Sequence, residues 1–227
     1  MKKTILILTV LSITIFSFTK MQNKKRILFF GDSITQQGAR PDGYIKKFDS
    51  LINEKGFASK YETIGAGISG NKVYDLYLRM DDDVLAKNPD AVVIFIGVND
   101  VWHKRTSGTG TDADKFEKFY NAIIKKLKTK NIAVYLCTPA VIGEKTDFTN
   151  ELDGDLNKYA AIIRNIAKNN DCPLIDLRQE FLNYLRTNNP ANKDRSILTT
   201  DGVHLNTTGN IFVAQKMFDV LSQGFIK

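Results

Sequence analysis

Apolar and polar positions follow two periods along this chain. Five short runs are apolar at most positions: Arg26 to Gly31, Tyr61 to Gly65, Ala91 to Gly97, Ile132 to Thr138 and Pro173 to Asp176. The stretch Ala-Val-Val-Ile-Phe-Ile at 91–96 contains no polar residue. A strand wet on one face alternates, so an unbroken run predicts a strand covered on both faces, as in parallel sheets. Between the runs the period lengthens to about 3.6. Tyr44, Ile45, Phe48, Leu51 and Ile52 share one helix face. Phe116, Phe119, Tyr120, Ile123, Ile124 and Leu127 share another, with Asp112 placed as N-cap. Leu152, Leu156, Tyr159, Ile163 and Ile166 make a third. A last helix opens near Asn206 or Thr207, buries Ile211, Ala214, Phe218 and Leu221, and stops near Gly224. Strands alternating with helices predict an α/β domain, doubly wound, with helices on both faces of a five-stranded parallel sheet.

Composition adds bounds. The 227 residues are 43% hydrophobic and 25% charged, which excludes disorder and makes one domain over 23–227 the default. The net charge of +7 is spread over lysines on polar helix faces and reads as a solvated basic surface. An acidic polysaccharide is a weaker partner. Nucleic acid is weaker still, because no basic stripe interleaves with aromatics.

Residues 1–22 read as a targeting segment. Lys2 and Lys3 precede an uncharged stretch from Thr4 to Phe18. That is shorter than the roughly 20 apolar residues of a membrane span and fits a secretory signal. No Ala-x-Ala cleavage site follows, so an uncleaved N-terminal anchor stays open. Either way the domain is expected to be exported, with no stable membrane insertion unless the segment is retained. Cys137 closes one strand and Cys172 precedes the next. At about 3.3 Å of rise per residue the two thiols lie too far apart to bridge, and no disulfide is expected.

The polar residues that follow the strands suggest chemistry. Ser33 follows the first run in Gly31-Asp32-Ser33-Ile34, Gly70 follows the second, and Asn99 follows the third in Gly97-Val98-Asn99-Asp100. His204 stands in Asp201-Gly202-Val203-His204 before the last helix. In open α/β sheets ligands bind outside the carboxyl ends of the strands, so these segments converge on one edge. A serine becomes a nucleophile only beside a base. His204 is the expected base, oriented by Asp201 three residues earlier. Backbone N–H groups of Ser33 and Gly70 and the Asn99 amide are the expected oxyanion donors. Gly67 is the fallback for Gly70. Trp102 and His103 are expected in a loop at the rim as substrate contacts, Trp102 stacking on a sugar or walling an acyl pocket, with a hydrophobic plug of the loop as the plainer reading of Trp102 and a bystander that of His103. Asp32 and Asp100 read as structural, and Asp81 to Asp83 as a solvated cluster at a helix start. The histidines and cysteines are too dispersed for a metal site.

With these four blocks in order, the chain resembles the SGNH hydrolases, also called the GDSL family of esterases and lipases, from Arg26 to the end. The resemblance implies a three-layer α/β/α sandwich with five parallel strands in the flavodoxin-like manner. It implies ester hydrolysis without cofactor, through an acyl-enzyme on Ser33. It assigns Ser33, Gly70, Asn99 and His204 to the four family positions and Asp201 to the acidic one. It leaves the substrate open. Polar loops at 103–111, 139–151 and 187–200 suggest a shallow wet site and a short acyl group. Deacetylation of a carbohydrate is therefore the favoured expectation. A lysophospholipase or general short-chain esterase is the runner-up, and an inactive polysaccharide-binding module on the same fold a third reading.

Overall fold

The computed structural model describes residues 23–227; the expected signal or anchor at 1–22 lies outside the described residues. Five strands form one sheet: β1 (Lys25–Gly31), β2 (Tyr61–Gly67), β3 (Ala91–Phe95), β4 (Ala133–Cys137) and β5 (Leu174–Ile175). All pairings are parallel, in the order β2-β1-β3-β4-β5. The register sets Phe30 beside Ile94, and Ile94 beside Leu136.

Strand side chains point alternately to the two faces. Ile27, Phe29, Val93, Phe95 and Tyr135 enter one hydrophobic layer. Leu28, Phe30, Val92, Ile94 and Leu136 enter the other. This is why the runs carry no polar residue: both faces are covered. The helices α2 (Tyr44–Glu54), α7 (Leu177–Asn188) and α8 (Thr207–Gly224) close the first layer. The helices α3 (Val73–Asp83), α5 (Ala113–Lys128) and α6 (Asp153–Asn169) close the second. Phe29, Phe30, Phe48, Phe95 and Phe116 are fully buried. At about 1.5–3 kcal/mol for each such side chain, these layers supply the main favourable term in folding. Two short helices, α1 (Ser33–Gly38) and α4 (Val98–Thr106), sit at the carboxyl ends of β1 and β3. The order of strands reverses between those two, so the switch-point crevice opens there.

The structure differs from expectation at several points. The acidic run Asp81 to Asp83 ends α3 rather than starting a helix. Acid is unfavourable at that end of the helix dipole, and Arg79 and Lys126 offset it by pairing with Asp83 and Asp81. Trp102 and His103 lie on α4, not in a loop. Asp112 holds the N-cap position of α5 but makes no capping bond; its carboxylate takes Lys104 at 2.8 Å. Ile211 faces solvent, and α8 instead buries Val213, Ala214, Met217, Phe218 and Leu221. The fifth strand keeps only two residues. Cys137 pairs in register with Ile175, three residues beyond Cys172, and the two cysteines enter opposite layers. Both thiols are free. Among the described residues no helix is long and apolar enough to cross a membrane, and no group of three potential ligands is placed to hold a metal.

Candidate active site

Ser33 is the first residue of α1, where the chain leaves β1 sharply. A side chain at Gly31 would fall 2.3 Å from the Phe95 carbonyl and from Thr35 Oγ1, so glycine alone lets β1 and β3 run this close. Asp32 caps the helix: its Oδ1 accepts the Ile34 N–H at 2.9 Å. Burial pushes the Asp32 carboxyl up to about 7, against the pull of Ile34 N–H, His204 and Arg79. The Ser33 side chain is nearly buried. Its N–H stands at a helical position with no intrahelical acceptor.

His204 reaches Ser33 from the turn between α7 and α8. Its Nε2 lies 2.9 Å from Ser33 Oγ. Its Nδ1 lies 2.7 Å from Asp201 Oδ2. A carboxylate on Nδ1 favours the tautomer with the proton there, leaving Nε2 to accept the serine hydroxyl. The other oxygen, Asp201 Oδ1, accepts the backbone N–H groups of Val203 at 3.0 Å and His204 at 2.8 Å. Burial pulls the Asp201 carboxyl upward, but the hydrogen bonds from His204 and the two backbone amides outweigh it, and its pKa falls below the usual value.

Gly70 occupies a left-handed conformation, φ +79°, in a turn closed by the Asn71 N–H on the Ile68 carbonyl. Asn99 stands in the first turn of α4 and donates one amide proton to the Asn71 carbonyl at 3.1 Å. An amide carries two donors, so the second remains for another acceptor. The Gly70 N–H engages no acceptor among the described residues. Gly67, the alternative, belongs to β2 and packs against the backbone of α1, 2.1 Å separating its would-be Cβ from Gln36 N. The structure therefore brings Ser33, His204, Asp201, Gly70 and Asn99 to one edge of the sheet.

His103 faces this cluster: its Cε1 lies 3.9 Å from the position a Gly70 Cβ would take. Burial, then the Lys72 charge, depress its pKa. Trp102 is half-buried, packs against both hydrophobic layers and leans on His103. A cleft of about 420 Å³ adjoins the His204 turn, lined in part by Gln37, Arg40, Asp42, Thr200, Asn206 and Asn210.

Four supporting residues escaped the sequence reading. Glu144, fully buried, accepts the N–H groups of Ile197, Leu198 and Thr199 and the Thr199 hydroxyl. Thr199 Oγ1 in turn accepts the Gly202 N–H at 3.0 Å, inside the Asp201–His204 turn. Arg79 donates to the carbonyls of Gly31 and Ala66 and to Asn71 Oδ1, joining the ends of β1 and β2 to the Gly70 turn. Lys72, nearly buried, donates to the Gly70 carbonyl at 3.0 Å. A single charged or hydroxyl side chain without a local pattern gives no sequence signal of such a role.

Known proteins share this arrangement of chain. The profile of the GDSL-like Lipase/Acylhydrolase family matches residues 29–210. An acetylxylan esterase of Geobacillus stearothermophilus is 30% identical over 212 residues, covering 86% of this chain and 93% of that protein. An isoamyl acetate-hydrolyzing esterase 1 homolog of Rattus norvegicus is 26% identical over 219 residues, covering 87% and 82%. The crystal structure of an acetyl xylan esterase superposes with a TM-score of 0.84 at 64% identity, covering 86% of this chain and 98% of that one. With the family profile spanning the core of the domain and the fold in agreement, the chain belongs to the GDSL-like lipase/acylhydrolase family, the SGNH hydrolases, and is a carboxylic ester hydrolase.

Proposed function

We propose that this chain is an exported serine esterase that removes acetyl groups from a xylan-type carbohydrate through an acetyl-enzyme on Ser33. The observation that carries the reaction is the continuous hydrogen-bond chain from Ser33 Oγ through His204 to Asp201. Support for the acetylated sugar comes from relatives named acetyl xylan esterases, one of them 64% identical.

In this reading Ser33 Oγ bonds to the acetyl carbonyl carbon while its proton passes to His204 Nε2. Asp201 stabilises the imidazolium that forms. The carbonyl oxygen becomes an oxyanion and takes the N–H groups of Ser33 and Gly70 and the free Asn99 amide proton. The carbon–oxygen bond to the sugar then breaks, and His204 returns the proton to the departing hydroxyl. Water repeats the sequence: His204 takes its proton, the hydroxide adds to acetyl-Ser33, and acetate leaves as Ser33 regains its hydrogen. No cofactor is required. Trp102 and His103 border the sugar side. Residues 1–22 carry the chain out of the cytoplasm.

Initial rates on p-nitrophenyl acetate, butyrate and octanoate, with acetate release from acetylated xylan, test the substrate. Rates that fall with acyl length, with release from xylan lost in Ser33→Ala, support the proposal. Rates that rise with acyl length and no release from xylan would move the substrate to lipid esters. N-terminal sequencing of the protein recovered outside the cytoplasm tests export; retention of all the protein in the cytoplasm would refute it.

A further inference from the structure

The Gly70–Asn71 segment carries three acceptors, and a different side chain holds each one. Lys72 Nζ donates to the Gly70 carbonyl at 3.0 Å, Asn99 Nδ2 to the Asn71 carbonyl at 3.1 Å, and Arg79 Nε to Asn71 Oδ1 at 2.6 Å. The Gly70 N–H engages no acceptor among the described residues.

Lys72 is the costly member. Its relative exposure is 7%, and lysine is rarely buried without an anionic partner. Asp75, the nearest acid in sequence, takes the Lys72 backbone N–H at 2.8 Å and not its ammonium. The ammonium bonds a neutral carbonyl and stands 5.5 Å from the Tyr74 ring; the Asp100 carboxyl feels its charge but makes no hydrogen bond to it. Burying a cation on such partners is unfavourable. Packing gives no reason for it, since methionine would fill the same volume.

The turn supplies a reason. Residues 68–71 close with the Asn71 N–H on the Ile68 carbonyl at 3.3 Å, and Gly70 at the third position has positive φ, as in a type II turn. Such a turn converts to its type I relative when the central peptide rotates, which reverses the N–H of the third residue. The peptide joining Gly70 to Asn71 is gripped at both ends: its N–H by Ile68 and its carbonyl by Lys72. Holding that peptide fixes the carbonyl side of Gly70 and leaves its N–H only the rotation of the preceding Ser69–Gly70 peptide; without Lys72 the Gly70 carbonyl turns as well, and both sides of the glycine are loosened.

We propose that Lys72 is a positioning residue of the oxyanion site: its ammonium anchors the Gly70 carbonyl, and so restrains the Gly70 N–H toward the developing oxyanion. The inference rests on the role given above to Gly70. It predicts a defect in transition-state stabilisation with little change in ground-state binding.

The test uses the full chain with Lys72→Met, Lys72→Gln and Lys72→Arg. Steady-state rates on p-nitrophenyl acetate are paired with inhibition by phenylboronic acid, whose adduct on serine is tetrahedral and anionic. Lys72→Met and Lys72→Gln are expected to lose kcat by about 30-fold, within the range for one oxyanion donor. KM should stay within about threefold, and the boronate inhibition constant should rise with the loss in kcat. Lys72→Arg should recover most of both. If Lys72→Met does not fold, Lys72→Gln and Lys72→Arg carry the comparison. A kcat within twofold of the parent in the neutral variants overturns the proposal. So does a loss of kcat with unchanged boronate affinity, which would mark a structural role only. An inactive parent enzyme would instead count against the reading of Ser33 and its neighbours.

Discussion

Glu144 and Thr199 are joined twice: one carboxylate oxygen accepts both the Thr199 N–H, at 2.7 Å, and its hydroxyl, at 2.8 Å. The same carboxylate takes the N–H groups of Ile197 and Leu198. Thr199 passes the restraint on to Gly202, and the His204 carbonyl receives the Thr200 N–H at 2.8 Å. One buried acid in the loop after β4 thus sets the path of the segment that presents His204. Glu144→Gln replaces an acceptor with an amide donor that must face backbone donors. We expect a loss of about 2–3 kcal/mol in stability, the scale of an unsatisfied buried donor, and a fall in kcat of tenfold or more. Thermal unfolding and rates on p-nitrophenyl acetate below the melting point check this. Full activity in the folded variant would show that the 197–205 segment holds its path without Glu144.

Asp201 does two tasks with two oxygens. One orients the His204 ring and the other caps the backbone of the same turn. Asp201→Asn keeps an oxygen for the cap but removes the charge that stabilises the imidazolium. The expected loss in kcat is about 10³-fold, with the melting temperature nearly unchanged. Ser33 labelling by a fluorophosphonate should slow in parallel. A variant that retains a tenth of the parent rate would remove Asp201 from the proposed mechanism.

Asp100 gives the domain a pH-dependent stability. It is fully buried; Oδ1 accepts the Val73 N–H at 3.1 Å, while among the described residues Oδ2 and the Thr111 hydroxyl lack well-formed partners. Burial pushes its pKa up to about 7, opposed by Thr111 and Val73. The sign follows from linkage. Between about 4 and about 7 the folded chain keeps a proton on Asp100 that the unfolded chain has lost, so stability falls as pH rises through that window. Asp32 acts in the same direction, with a pKa also near 7. Asp100→Asn removes one of the two contributions. Its melting temperature should therefore decline less steeply than the parent's between pH 4.5 and 7.5, values chosen at about the edges of the window. Parallel curves for the two proteins would mean that Asp100 is ionised in the folded state throughout.

Much of this site is legible in the sequence because of where its residues stand. Ser33, Gly70 and Asn99 each follow an apolar run, and a parallel sheet collects the ends of such runs on one edge. The strands are legible because both faces are covered, which removes the polar half of the usual alternation. Helix α4 is harder to see: it is nine residues long, begins at a glycine N-cap and buries little beyond Val98 and Val101 among its apolar residues. Three aspartates at 81–83 favour a helix start on electrostatic grounds alone, and only the folded positions of Arg79 and Lys126 make them tolerable at an end. Glu144 and Lys72 carry no local pattern. Their roles depend on partners 53 or more residues away for the Glu144 carboxylate, and on a turn carbonyl for Lys72.

Gly56 and Gly70 separate backbone strain from function. Gly56, at φ +77°, follows α2 and has open space where a Cβ would lie. Gly70, at φ +79°, has only His103 Cε1 near that position, at 3.9 Å. Alanine therefore fits sterically at both, and the left-handed conformation costs about 1–2 kcal/mol at either. The two substitutions should lower the melting temperature alike. Their effects on catalysis should diverge. Gly56→Ala leaves the Ser33 edge untouched and should keep the parent kcat. Gly70→Ala can relieve its strain by leaving positive φ, which rotates the peptide whose N–H is the proposed oxyanion donor, so kcat should fall by about 10²-fold, the scale of one lost donor. Rates on p-nitrophenyl acetate, read beside thermal unfolding for both variants, give the comparison. Equal activity in the two would return Gly70 to an ordinary turn and shift the backbone donor to another residue of the segment.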